Sequence, residues 1–229
     1  MNARTQAVTI TGPAGGIDAA LDLPGAACVG LAVVAHPHPL FGGTRDNKVV
    51  MTLARVFTSL GYLVIRPNFR GVGGSAGEHD EGRGETDDLL TVVAAGLSRN
   101  EVVALGATPK LVLAGFSFGA FVQSRVARRL RELGTPIERM VLVGTAASRF
   151  EVERVPADTL LVHGELDDTV PLAAVLEWAR GGEAPVVVVP GADHFFHHKL
   201  VSLKRIVLRA WGHRETDDAE PGGGTEQGA

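Results

Sequence analysis

Lys110-Leu111-Val112-Leu113-Ala114-Gly115-Phe116-Ser117-Phe118-Gly119 is a short apolar run that closes on a pentapeptide of the form G-x-S-x-G. The run reads as a buried strand. Beyond the pentapeptide, Val122, Val126, Leu130 and Leu133 recur at helical spacing, with Arg125, Arg128, Arg129 and Arg131 largely on other faces. Strand, sharp turn and helix in succession separate a nucleophile elbow from a chance match in a chain with 29 glycines. Such a turn forces its central residue into strained backbone, so its neighbours must be small. Gly115 and Gly119 meet that demand and make Ser117 the candidate nucleophile.

Working outward, composition allows one domain with a substantial core. The chain has 229 residues, 45% hydrophobic and 21% charged, which is ordinary for a water-soluble globular protein. Cys28 is alone, so no disulfide forms within the chain and a reducing compartment fits best. A formal charge of −4 gives no general pull toward nucleic acid or acidic membranes. No run approaches the roughly 18 apolar residues of a spanning helix, and Met1 to Gln6 does not lead into a signal-peptide core. The expectation is a soluble, cytoplasmic protein with no nucleic-acid or membrane partner. Nothing in the sequence fixes an oligomeric state.

Two strands over 6–11 and 17–23 predict an antiparallel edge. From residue 30 onward apolar runs at 30–36, 63–67, 110–116, 140–144, 159–163 and 186–189 alternate with helical patterns. Helices are expected near 47–60, 85–99, 118–133, 172–180 and 199–212. That alternation implies right-handed βαβ crossovers, an α/β fold and a mostly parallel, doubly wound sheet of about eight strands. Residues 1–213 make a single domain. Residues 214–229, rich in Gly, Glu, Asp and Thr, predict a disordered tail.

A serine hydroxyl needs an adjacent base, itself held by a third group. Two loops beyond strand ends carry such groups: His163-Gly164-Glu165-Leu166-Asp167-Asp168-Thr169-Val170-Pro171, and Pro190-Gly191-Ala192-Asp193-His194-Phe195-Phe196. The order is Ser117, an acid, then His194. Asp167, Asp168 and Glu165 all stand as candidate acids, although Asp168 and Thr169 also read as helix caps before Pro171. His36, His38, His163, His194, His197 and His198 invite a metal, but their spacing matches no settled zinc pattern. No metal and no cofactor is expected. Gly71-Val72-Gly73-Gly74-Ser75-Ala76-Gly77 looks like a phosphate loop, yet the next helix starts only near Glu85, too far on to meet a phosphate. Glu78-His79-Asp80-Glu81 reads as a solvated loop.

His36-Pro37-His38-Pro39-Leu40-Phe41-Gly42-Gly43-Thr44-Arg45-Asp46-Asn47, Asn68-Phe69-Arg70-Gly71-Val72-Gly73-Gly74-Ser75, the elbow, His163 to Pro171 and Gly191 to Phe196 together resemble the α/β-hydrolase superfamily. More narrowly, they are similar to the small lidless bacterial hydrolases related to dienelactone hydrolase and described as predicted esterases. The resemblance spans about residues 6–212. It implies Ser117, Asp167 and His194 as a catalytic triad, with Asp168 the rival acid. It also implies an oxyanion hole from the Phe118 N–H and a second N–H after strand 30–36. Proline carries no N–H, so in Pro37-His38-Pro39-Leu40 the donor is His38, favoured by position, or Leu40. Dienelactone hydrolase itself uses a cysteine nucleophile. Ser117 therefore points toward ordinary ester or thioester chemistry.

Superfamily members that take bulky apolar substrates often insert a helical cap after the strand matching 140–144. Only Thr145 to Ala157 is available here, so no cap domain fits and the site should be open, with Phe150 and Val152 lining its mouth. The resemblance implies a serine hydrolase cleaving carboxylic esters of small or exposed acyl groups. Thioesterase, amidase or acyltransferase chemistry would use the same triad. A non-catalytic binding module is the rival class, but such proteins usually lose a triad member and all three are present.

Overall fold

Continuous apolar strands separated by one-sided helices can bury both faces only by stacking helices on each side of a sheet. The computed structural model describes residues 5–106 and 108–212; the expected tail at 214–229 lies outside the described residues. Its strands are β1 (Thr5–Gly12), β2 (Gly15–Asp22), β3 (Gly30–Ala35), β4 (Tyr62–Pro67), β5 (Lys110–Phe116), β6 (Arg139–Val143), β7 (Leu160–Gly164) and β8 (Val186–Val189). They form one sheet in the order β1-β2-β4-β3-β5-β6-β7-β8. β1 pairs antiparallel with β2, and β2 with β4; every other pairing is parallel. This is the α/β architecture with the antiparallel edge that the sequence predicts.

The helices are α1 (Lys48–Ser59), α2 (Arg83–Leu97), α3 (Asn100–Val103), α4 (Phe118–Glu132), α5 (Leu172–Ala179) and α6 (Leu200–Gly212). Of Asp46 and Asn47, either of which could cap α1 from sequence, Asn47 does so, its side chain accepting the Val49 N–H at 2.9 Å. Side chains alternate across β5. Leu111 and Leu113 join the core under α2 and α4 with Leu89, Val92, Val122 and Val126. Val112, Ala114 and Phe116 join the opposite core under α1 and α6 with Val49, Leu53, Phe57, Leu203 and Val207. Neither α3 nor the 3₁₀ turn at Pro39–Phe41 is foreseen by sequence periodicity, because elements of one turn carry too few residues to show a period.

Residues 144–159 contain neither helix nor strand, so nothing caps the carboxyl ends of the strands from this connection. Phe150 stacks on Phe121 with ring centroids 4.7 Å apart. Val152 departs from expectation. It is buried in the core and its carbonyl accepts the Trp178 indole N–H at 3.1 Å, so it does not line the mouth.

Near the carboxyl end of β4, the buried Arg66 guanidinium lies 2.7 Å from the Asp22 carboxylate. The same guanidinium donates to the Arg45 carbonyl at 2.8 Å and to Asp46 at 3.0 Å, joining β2, β4 and the approach to α1. Removing one partner of a buried pair strands the other charge. Asp22→Ala should destabilise the fold by about 3 kcal/mol, read from the urea midpoint at unchanged m-value.

Candidate active site

The elbow brings backbone against backbone. A Cβ at Gly115 would sit 2.4 Å from the Gly119 carbonyl oxygen, and one at Gly119 would sit 2.4 Å from that of Ala35. No larger residue fits at either place without moving main chain. Ser117 takes φ 55° and ψ −115°, a conformation that costs a non-glycine residue about 1–3 kcal/mol. The Ser117 N–H donates to the Val143 carbonyl at 2.9 Å, which ties the turn to the end of β6.

Three side chains from three loops then meet in line. His194 Nε2 lies 3.0 Å from Ser117 Oγ, and His194 Nδ1 lies 2.7 Å from Asp167 Oδ2. All three residues are largely buried. The other Asp167 oxygen, Oδ1, accepts the Thr169 N–H at 3.0 Å and the Val170 N–H at 2.7 Å. A carboxylate held this way has one free face, and His194 occupies it. Asp168 is exposed and accepts the Thr169 hydroxyl at 3.3 Å. Glu165 is also exposed and accepts the Gly191 N–H at 2.8 Å, bracing the acid loop against the histidine loop. Of the three acids weighed from sequence, only Asp167 meets the imidazole.

Phe118 opens α4, so its N–H has no acceptor within the helix. Among the described residues the His38 N–H also meets no acceptor. The Leu40 N–H is taken, donating to His38 Nδ1 at 3.2 Å, and the Leu40 side chain is exposed.

His36 is fully buried. The Phe69 N–H donates to its Nε2 at 2.9 Å, which leaves its proton on Nδ1, 2.6 Å from the Pro37 carbonyl. It thus clamps the loop after β3 to the loop after β4. Burial holds this imidazole down at about 4, from the ordinary 6.5. His163 is buried below Asp167, with Nε2 2.9 Å from the Val170 carbonyl and 3.4 Å from Asp167 Oδ2. Burial pushes it down too, against the raising effect of Val170 and Asp167.

One feature escapes the sequence reading. His79 is not in a solvated loop: its side chain is 12% exposed, with Nδ1 2.8 Å from Oε1 of the fully buried Glu85. Glu85 also accepts the Asp80 and Gly82 N–H groups, each at 2.9 Å. A glutamate three residues into a helix is the capping-box signature, which marks Glu85 as more than a charge at a helix end. The loop 68–77 is knitted to β2: Ser75 Oγ donates to the Asn68 carbonyl at 2.8 Å and accepts the Asp18 N–H at 2.9 Å.

The chain matches no protein-family model. It is similar to XC6422 of Xanthomonas campestris, an α/β serine hydrolase without a lid, at 36% identity over 92% of this chain and 94% of that one, with a TM-score of 0.80. The chain belongs to the α/β serine hydrolases. An α/β serine hydrolase homologue from Coxiella burnetii is similar at 34% identity, covering 89% of this chain and 96% of that one, with a TM-score of 0.76. An uncharacterised protein of Rickettsia prowazekii, RP471, is 30% identical over 77% of this chain and 76% of its own length. Within this lidless α/β serine hydrolase the contacts among Ser117, His194 and Asp167 fit a catalytic triad. No helix among the described residues is long and apolar enough to cross a membrane.

The depressed His36 has a pH consequence. The unfolded chain binds this proton near 6.5 and the folded protein only near 4, so the unfolded state holds more protons between those values. The stabilisation is complete above 6.5 and lost as pH falls toward 4, with about 3 kcal/mol at stake. Urea titrations of wild type and His36→Gln at pH 7 and pH 4 should show the variant, already weaker at pH 7, losing about 3 kcal/mol less across the range.

Proposed function

We propose that this protein hydrolyses carboxylic esters of small or exposed acyl groups through an acyl-enzyme at Ser117. The observation that carries the reading is the unbroken line Ser117 Oγ, His194 Nε2, His194 Nδ1, Asp167 Oδ2, with spacings of 3.0 and 2.7 Å. His194 takes the Ser117 proton as Oγ attacks the acyl carbonyl carbon. The carbonyl π pair moves to oxygen, and the oxyanion faces the free N–H groups of Phe118 and His38. His38 is preferred over Leu40 because the Leu40 N–H is engaged by the His38 ring. Collapse of the intermediate breaks the bond to the alkoxide, which receives the proton from His194. Water, deprotonated by the same imidazole, then cleaves the acyl–Ser117 bond and restores the hydroxyl. Asp167 keeps the proton on Nδ1 while the imidazole is neutral and stabilises the cation once it forms.

An open mouth supports the choice of acyl group. Phe41, 74% exposed, packs against His38 with ring centroids 4.7 Å apart. Phe195, 44% exposed, packs against His194 at 5.2 Å. These rings offer apolar contact to a short acyl or alkyl group, and the short segment 144–159 supplies no roof over a long chain.

Two measurements test the reading. A fluorophosphonate probe should label wild type and leave Ser117→Ala unlabelled; equal labelling of both would remove Ser117 from the chemistry. Across p-nitrophenyl esters, kcat/KM should fall by about tenfold or more from the butyrate to the dodecanoate, and a rise would contradict the open site. With either ester Ser117→Ala should lose at least about 10⁴-fold in kcat.

A further inference from the structure

The His38 and His79 rings stand side by side with centroids 4.8 Å apart, on the side of the oxyanion loop. Both rest on Phe118, the residue after the proposed nucleophile, at 4.8 and 5.3 Å. Phe41 and Phe150 flank His38 at 4.7 and 6.0 Å. In each imidazole Nδ1 is spoken for, and the identity of its partner fixes the neutral tautomer. The Leu40 N–H donates to Nδ1 of His38, so the His38 proton lies on Nε2. A carboxylate oxygen of Glu85 lies 2.8 Å from Nδ1 of His79. The contact lacks the alignment of a good hydrogen bond, but an oxygen so close repels a lone pair and attracts an N–H. In the neutral ring the His79 proton therefore lies on Nδ1, and Nε2 carries the lone pair. Neither Nε2 has a partner among the described residues, and neither is sealed from solvent.

The result is one open donor, His38 Nε2–H, beside one open acceptor, His79 Nε2, on an aromatic floor. A hydroxyl group both donates and accepts, and two neighbouring hydroxyls can use both atoms at once. Glu78 and Glu81 lie exposed on the same loop, and Glu85 lies beneath it. An anionic substituent would meet these carboxylates, whereas neutral hydroxyls would not. Burial and the neighbouring Arg149 push His38 down against the raising effect of Glu85, which favours the single-proton form used here.

We propose that His38 and His79 form a subsite for a hydroxyl-bearing alcohol portion of the ester, so that preferred substrates are acyl esters of a small polyol. This rests on the ester-hydrolase reading and adds the leaving group to it. His79 would be a specificity residue, held by Glu85.

Glycerol monobutyrate and propyl butyrate share a carbon skeleton and differ in the free hydroxyls. Wild type should favour glycerol monobutyrate in kcat/KM by about fivefold or more, the worth of one neutral hydrogen bond at a partly open site. His79→Phe, which keeps a ring on Phe118, should reduce that ratio about fivefold, with the loss falling mainly in KM. A wild-type ratio near one, or a ratio unchanged in the variant, would overturn the subsite. The second measurement needs neither turnover nor a folded variant: titration of ¹⁵N-histidine-labelled wild type with glycerol and, separately, with 1-propanol. Glycerol should shift the Nε2 resonances of His38 and His79 and leave that of buried His36 still, with smaller shifts from propanol. Selective shifts without hydrolysis of either ester would sink the hydrolase reading and keep the binding site. Hydrolysis without selective shifts would do the reverse.

Discussion

Main chain pressed against main chain at the elbow is the constraint from which the site follows. With Gly119 in contact with the Ala35 carbonyl and Gly115 in contact with Gly119, α4 starts directly on the ends of β3 and β5. That closeness puts the Phe118 N–H beside the loop after β3, where the His38 N–H is free. It also lifts Ser117 above the sheet in a backbone conformation a serine otherwise avoids. The cost of about 1–3 kcal/mol is offset by the two cores that flank β5. Strain at one residue is tolerable because a large apolar assembly would have to be disrupted to relieve it.

A second layer of support is polar and works by satisfying lone pairs and protons before substrate arrives. Asp167 has two backbone N–H groups on one oxygen and His194 on the other. Beneath it His163 gives its Nε2 proton to the Val170 carbonyl, and across the cleft His36 joins Pro37 to Phe69. Both of these imidazoles are buried and pushed toward the neutral form. They can therefore hydrogen-bond backbone without placing a charge beside His194, whose own charge must come and go in the proposed cycle. At His36 the ring uses both its donor and its acceptor, whereas at His163 only Nε2 is bonded and Nδ1 meets no partner among the described residues.

The mostly parallel sheet with its antiparallel edge, the lack of a cap and the meeting of Ser117, an acid and His194 were legible because each rests on a pattern that survives in one dimension. Continuous apolar runs mark buried strands, and a serine between glycines marks a tight turn. Chain order does not say which acid in Glu165-Leu166-Asp167-Asp168 faces inward. Asp167 wins because its Oδ1 is taken by the Thr169 and Val170 N–H groups of the following turn, a geometry that Asp168 one residue on cannot share. Val152 and His79 were misread for a related reason. Neither lies in a periodic element, so local sequence gives no inside or outside, and their burial is decided by distant partners: Trp178 for Val152, Glu85 and Phe118 for His79.

In the absence of a cap, the loops must position one another. Ser75 ties the loop after β4 to β2, and His36 ties it to the loop after β3. Glu165 joins the acid loop to the histidine loop, and Asp193 holds His197 in the turn that follows His194. The connection 144–159 adds neither helix nor strand over the site. Selectivity then has to come from the rim, and the rim is chemically two-sided. Phe195 presents apolar surface beside His194, while His38 and His79 present polar atoms beside the oxyanion loop. On the proposed reading, an ester bound across Ser117 would have two differing ends to lay against these two sides. The asymmetry of the rim thus does for orientation what a cap would otherwise do by enclosure.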